Sequence, residues 1–124
     1  MSASFDSAQF RAVLGHVPTS VVVVTGLNAQ GTAFGITIGS FASVSLDPPL
    51  VGFFPGVRSQ SWAAIRESGR FCVNVLGSHQ EEACWRFAKE GDDKFAGVEW
   101  LPSEGGSPVL PGSIAWIDCE IDSE

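Results

Sequence analysis

The apolar positions of this chain switch between two periods, and the switches mark its elements. In "FDSAQFRAVLGHV", Phe10, Val13, Leu14 and Val17 recur at helical spacing, with Asp6 or Ser7 placed to cap and Gly15 near the end, which predicts a short amphipathic helix. The β-branched run of "TSVVVVTGL" follows and predicts a strand; "NAQG" supplies turn chemistry before "TAFGITIGSFASVSL" resumes strand character. So short a connection makes the pair antiparallel, because a parallel pair needs a long crossover. "DPP" at Asp47–Pro49 interrupts the ladder and "LVGFF" starts a new strand. "SQSWAAIRESG" returns to the helical period, with Ser59 as N-cap and Gly69 as terminator. "RFCVNVL" reads as a buried strand. "SHQE" from Ser78 matches a capping box at the head of a helix through "EACWRFAKE". "GVEWL" predicts a short strand, "PSEGGSPVLPG" a loop, and "SIAWIDCEI" a strand with Ala115, Ile117, Cys119 and Ile121 on one side.

About six strands joined mostly by tight turns, with short helices between some of them, predict a mainly β fold: an antiparallel, closed or partly closed barrel with peripheral helices. Composition adds limits to this picture. At 124 residues the chain is expected to be one domain, 1–124, and its 44% hydrophobic content suits a packed core. The net charge of −7 argues against nucleic acid or an anionic membrane as a partner held by a general positive field. The N-terminus "MSASFDSAQF" has neither the basic nor the apolar region of a signal peptide, so the expected location is cytoplasmic. Cys72, Cys84 and Cys119 are odd in number and widely spaced, which predicts buried thiols and neither a disulfide framework nor a metal site.

The familiar catalytic signatures are missing. There is no G-x-G-x-x-G, P-loop, G-x-S-x-G, S-x-x-K or H-E-x-x-H. His16 and His79 stand at expected helix ends, where capping or exposure is the ordinary role. No catalytic side chain is assigned. A good core without such a set points to a binding module or to an enzyme whose cofactor carries the chemistry.

One stretch, "SFASVSLDPPLVGFFPGVRSQSW", favours a cofactor. If Ser59 caps the helix that follows, the first-turn amides, Arg58 and the hydroxyls of Ser59 and Ser61 form a local anion site; the alternative is a plain capped helix with a surface arginine. Upstream, "GSFASVS" offers small side chains and accessible backbone against which a planar heterocycle could lie, or merely a tight barrel corner.

These segments, with "FRAVLGHVPTSVVVVT", "SGRFCVNVL", "RFAKEGDDKFAGVEW" and "GSPVLPGSIAWIDCEI", resemble the short-chain flavin reductase family in order and over nearly the whole chain. These are FMN-binding split-barrel proteins that serve as reductase components of two-component flavin-dependent monooxygenases. The resemblance implies a Greek-key split β-barrel, with hydride passing from NADH or NADPH to FMN or FAD. It places the flavin ring along Gly39, Ser40, Phe41 and Ala42, with Ser43 and Ser45 adjacent. The phosphate end falls at Gly56, Val57, Arg58, Ser59, Gln60, Ser61 and Trp62. Lys89, Glu90, Lys94 and Phe95 match a part that closes over the flavin. A homodimer and a partner monooxygenase reached by diffusible reduced flavin are implied as well.

Family members usually continue past "IDCEI" into segments that complete the barrel and help seat the nicotinamide, so the chain is expected to lack the family's C-terminal end, and no residue is assigned to NAD(P)H. That leaves "SIAWIDCEI" as an expected edge. A non-catalytic flavin-binding or electron-relay protein is the alternative of a different class, a split-barrel oxidase a further one, and a ligand-free partner-binding domain the last.

Overall fold

The structure, a computed structural model, describes residues 21–89 and 94–124; the helix expected between Asp6 and Val17 lies outside the described residues. Among the described residues the architecture is mainly β. Strands β1 (Val22–Leu27), β2 (Ala33–Ile38), β5 (Arg70–Val75) and β8 (Ala115–Glu120) form one antiparallel sheet in the order β2-β1-β5-β8. Strands β3 (Ala42–Leu46) and β4 (Pro49–Gly52) make a separate hairpin, and the two-residue strands β6 (Leu101–Pro102) and β7 (Pro108–Val109) make another. Two short helices, α1 (Gln60–Ile65) and α2 (Glu81–Ala88), complete the described part. No helix of the described residues is long and apolar enough to cross a membrane.

The run of valines in β1 has its reason in the packing. Val22 and Val24 face one apolar cluster with Ile38, Ile65, Phe71 and Val73, while Val23 faces another with Phe87 and Leu110. A strand covered on both faces has no place for the polar half of an alternating pattern. The two buried polar side chains beside it are paired instead. Asn74 Nδ2 donates to the Val23 carbonyl (3.1 Å) and to Thr25 Oγ1 (3.0 Å), its Oδ1 accepts the Leu110 amide (2.9 Å), and Thr25 Oγ1 donates to the Pro108 carbonyl (2.6 Å). This network fastens the 108–110 strap to the centre of the sheet, where an unpaired polar group would be costly.

The expected β1–β2 hairpin is present. Asn28 Oδ1 accepts the amides of Gln30 (3.0 Å) and Thr32 (2.8 Å), and Gly31 takes the left-handed conformation (φ 82°) that its missing side chain permits. The expected loop "PSEGGSPVLPG" instead holds most of the β6–β7 hairpin, and "GVEWL" contributes only Leu101 to a strand. Three further details differ from the sequence pattern. "TAFGITIGSFASVSL" divides at Gly39–Phe41 into β2 and β3, which belong to different sheets. Asp47-Pro48, a cis peptide, turns β3 directly into β4, and Pro49 can open that strand because a first residue need not donate. The cap of α2 uses Gln80 in place of the Ser78 and Glu81 pair. Gln80 Oε1 accepts the Gly77 amide (2.7 Å), and its Nε2 reaches the Pro111 carbonyl (3.3 Å) and Ser113 Oγ (3.4 Å), so a 3-10 turn over Ser78–Gln80 precedes the helix. A buried tertiary tie outweighs the local capping box there.

Strand β8 stands at the sheet edge beyond β5, with Trp116 and Ile117 exposed, while Cys119 and Ile121 pack on the core. Of the thiols, Cys72 is buried and Cys84 and Cys119 are half-buried, all three free.

Candidate functional site

Helix α1 has six residues, too few to stand alone, so its position comes from its caps and its apolar side. Ser59 is the N-cap: its backbone is extended, and its Oγ accepts the Trp62 amide at 3.1 Å. The Ser59 amide donates back to the Gly56 carbonyl (3.0 Å), which closes the turn before the helix. Trp62 anchors the other side. Its ring meets Phe53 (5.2 Å) and Phe71 (6.0 Å) edge to face, and Ile65 is fully buried in the same cluster. With Trp62 and Ile65 fixed, the leading turn is held with its early amides uncommitted by the helix itself.

That turn faces the C-terminal end of α2 across a cleft of about 180 Å³. Gly56, Arg58, Ser59, Gln60 and Ser61 line one side; Phe87, Ala88 and Lys89 of the α2 end, Ile36 of β2 and Lys94 line the rest. Arg58 and Lys89 are exposed cations, whereas Ser61 is buried. Lys94 is tied to the walls: its Nζ donates to the Gly35 carbonyl (3.1 Å) and the Phe87 carbonyl (3.2 Å). Cations, hydroxyls and main-chain amides around a small opening suit an oxyanion such as a phosphate. The opening is of a size for such a group and below the roughly 300 Å³ and more of sites that enclose larger ligands.

A ring joined to that anion would have to lie outside the cleft, and an accessible strand runs nearby. Gly39, Ser40, Ala42 and Ser43 are exposed, Ser45 is half-buried, and Phe41 packs on the core. Ser40 Oγ accepts the Phe54 amide at 2.8 Å, which ties this strand to the chain leading into the Gly56 turn. The structure therefore gathers five residues of the 56–61 turn with Lys89 and Lys94 around one opening. The Gly39–Ser45 segment is connected to that turn but does not line the cleft. Val57 points into solvent, Trp62 belongs to the core, and Phe95 packs at a tilt against Phe87 (ring centroids 4.9 Å apart) outside the lining. Glu90 lies outside the described residues.

Ile36, Phe87 and Ala88 are lining residues that sequence patterning does not single out. They read as ordinary core positions of a strand and a helix, and only the packing of α2 on β2 turns them toward the opening. A larger groove, about 550 Å³, runs between the β6–β7 hairpin and β8 beside Trp116. Its one buried-side carboxylate, Asp118, is occupied by Ser103 Oγ (2.7 Å) and the Gly105 amide (2.8 Å), and it offers no comparable cationic set.

Comparison with known proteins gives the following. Residues 14–124 match the family model described as a flavin reductase like domain. The chain is 49% identical over 123 residues to the flavin-dependent monooxygenase reductase subunit HsaB of Mycobacterium tuberculosis, covering 99% of this chain and 65% of that protein. Among solved structures, a homologue of nitrilotriacetate monooxygenase component B from Mycobacterium thermoresistibile superposes with a TM-score of 0.87 at 47% identity, covering 95% of this chain and 65% of the other. The Streptomyces globisporus NADH:FAD oxidoreductase SgcE6, solved with NAD and FAD fragments, gives a TM-score of 0.84 at 36% identity, covering 98% and 75%. The described sheet and hairpins thus have the split-barrel fold of flavin reductases, and the chain spans about two thirds of the length of the first two of these relatives.

Proposed function

The chain belongs to the family of flavin reductase-like domains, and from that premise we propose that it is an NAD(P)H-dependent flavin reductase, working as a cytoplasmic homodimer that supplies reduced FMN or FAD to a partner flavin-dependent monooxygenase. The observation that carries this reading is the cleft between the Gly56–Ser61 turn and the end of α2, which offers an oxyanion Arg58, Lys89, Ser59 and Ser61 together. Both candidate flavins carry a phosphate or pyrophosphate, and both have a flat ring for which the exposed backbone of Ser40–Ser43 is a fitting support.

When bound, the flavin supplies the hydride acceptor and the nicotinamide the donor, so the redox chemistry resides in the cofactors. The chain's own part is to bind and orient. Arg58 and the α1 amides would hold the anionic end, and the pairing of β3 with β4, whose register shifts between Ser43 and Ser45, would keep the supporting strand in place. Direct hydride transfer between two rings needs no side chain to move a proton, in keeping with a site built of ligating and not of acid–base groups. The reductase-subunit name borne by the Mycobacterium tuberculosis relative supports the monooxygenase partner. The NAD and FAD fragments in the Streptomyces globisporus structure support the pairing of cofactors. Exposed Val44 and Leu46 on the β3–β4 hairpin, with Phe54 and Val57 beyond it, support association with a second copy through this side of the molecule.

The deciding experiment is NADH and NADPH oxidation with and without added FMN or FAD, followed at the nicotinamide absorbance band. Oxidation that depends on flavin supports the reductase. Flavin binding without oxidation points instead to a flavin-holding protein, and absence of both activity and binding overturns the reading.

A further inference from the structure

The wall of the cleft is fixed from behind by a side chain that does not line it. Arg86, in the last turn of α2, donates from Nη1 to the main-chain carbonyls of Lys94 (3.2 Å) and Ala96 (3.3 Å), and so holds the 94–97 turn. Lys94 reaches back from that turn to the carbonyls of Gly35 on β2 and Phe87 on α2. The two cations close a loop of contacts: α2 fixes the turn, and the turn caps α2 and fastens it to β2. The tilted contact of Phe95 with Phe87 keeps the same turn pressed to the helix.

The charge arrangement gives this loop of contacts a consequence for binding. The last carbonyls of a helix lack intrahelical partners and carry the negative end of its dipole. Here that end, at Phe87 and Ala88, lines an opening suited to an anion, which it would repel. Lys94 donates to the Phe87 carbonyl, so one of these last carbonyls is covered by a charged donor, while Thr37 Oγ1 donates to the Cys84 carbonyl (2.6 Å) one turn earlier.

We infer that Arg86 is a positioning residue for anion binding: by fixing the 94–97 turn it holds the Lys94 ammonium over the carbonyl end of α2 at the cleft wall. This rests on the reading of the cleft as the seat of a flavin's phosphate end. The test compares FMN with riboflavin, which has the same ring and no phosphate, by quenching of flavin fluorescence on titration with the whole chain. Wild type binds FMN more tightly than riboflavin. Arg86→Met raises the FMN Kd by about tenfold and changes riboflavin by less than about twofold, since loss of charge-assisted bonds acts on the anion alone. Arg86→Lys restores most of the FMN affinity, and Lys94→Met reproduces the loss. Equal weakening of both flavins in Arg86→Met, or an FMN preference left intact, overturns the inference. If Arg86→Met does not fold, Lys94→Met decides, and retention of the wild-type preference in that variant is the overturning result. A wild-type protein that binds both flavins alike removes the phosphate reading of the cleft itself, an outcome distinct from a preference that survives the substitutions.

Discussion

Arg58 and Ser59 are neighbours with separable duties. Ser59 Oγ accepts the Trp62 amide and keeps its own proton for an anion, so Ser59→Ala is expected to lower the apoprotein's stability by about 1 kcal/mol, the usual cost of an N-cap, as read by urea denaturation. Arg58 is exposed at the cleft, so Arg58→Ala should leave the apoprotein's melting temperature unchanged and weaken FMN by roughly 1.5 to 3 kcal/mol, the range for charged hydrogen bonds. A fall in melting temperature without a change in FMN affinity would reverse that assignment. Ser59 was legible because capping is a local matter of residue type. The thiols were less so. Burial first, and then Asp118, push Cys72 up to about 12 and Cys119 up to about 11 from an ordinary 9.0. Both values are raised, so the native thiols stay protonated where those of the unfolded chain ionise. Their contribution to stability is therefore full below about pH 9 and is lost as pH rises from there toward 11 to 12. A urea midpoint that falls between about pH 9 and pH 11, with a shallower fall in Cys72→Ala, is the expected result.

At the scale of elements, the packing of α2 on β2 decides the cleft, and it turns on Gly35. A Cβ there would lie 2.7 Å and 2.9 Å from two atoms of the Phe87 ring and 3.2 Å from Phe95. Gly35→Ala must therefore push α2 and its aromatic pair away from the sheet, at a cost of about 1 to 3 kcal/mol, the usual range for overpacking a core. The melting temperature should fall and FMN should weaken, because Phe87 and Lys94 both line the cleft. Unchanged stability would mean that α2 is free to shift. The glycine stands in an apolar run that reads as strand, and nothing in that run announces the helix that will cover it. The strands themselves were legible, because β-branched runs and "NAQG" act locally. The division of β2 from β3 was not, since only the partner of each segment shows that they belong to different sheets.

At the scale of the whole molecule, the β3–β4 hairpin presents its apolar side chains outward. Leu46 is 89% exposed and Val44 65%, an arrangement that a second copy would cover. Leu46→Glu is accordingly expected to convert a dimer to a monomer in light scattering while the monomer's circular dichroism is preserved. A wild-type chain that is already monomeric at working concentration would remove this surface from the proposal. The other exposed edge, β8, carries Trp116 and Ile117.

The sequence by itself determined the mainly β class, the turn at Asn28–Gly31, the capped start of α1 and the likeness to flavin reductases. The first three rest on residue type and near-neighbour spacing, which act before the chain is folded; the likeness is a resemblance of whole segments in order along the chain. Only the tertiary structure decided that the end of α2 meets the Gly56–Ser61 turn, that Trp62 serves the core, and that Arg86 and Lys94 brace one wall. Those relations join residues far apart in the chain, and they are set by the packing of Phe87 on Gly35 and by which carbonyls are left for a cation to cover.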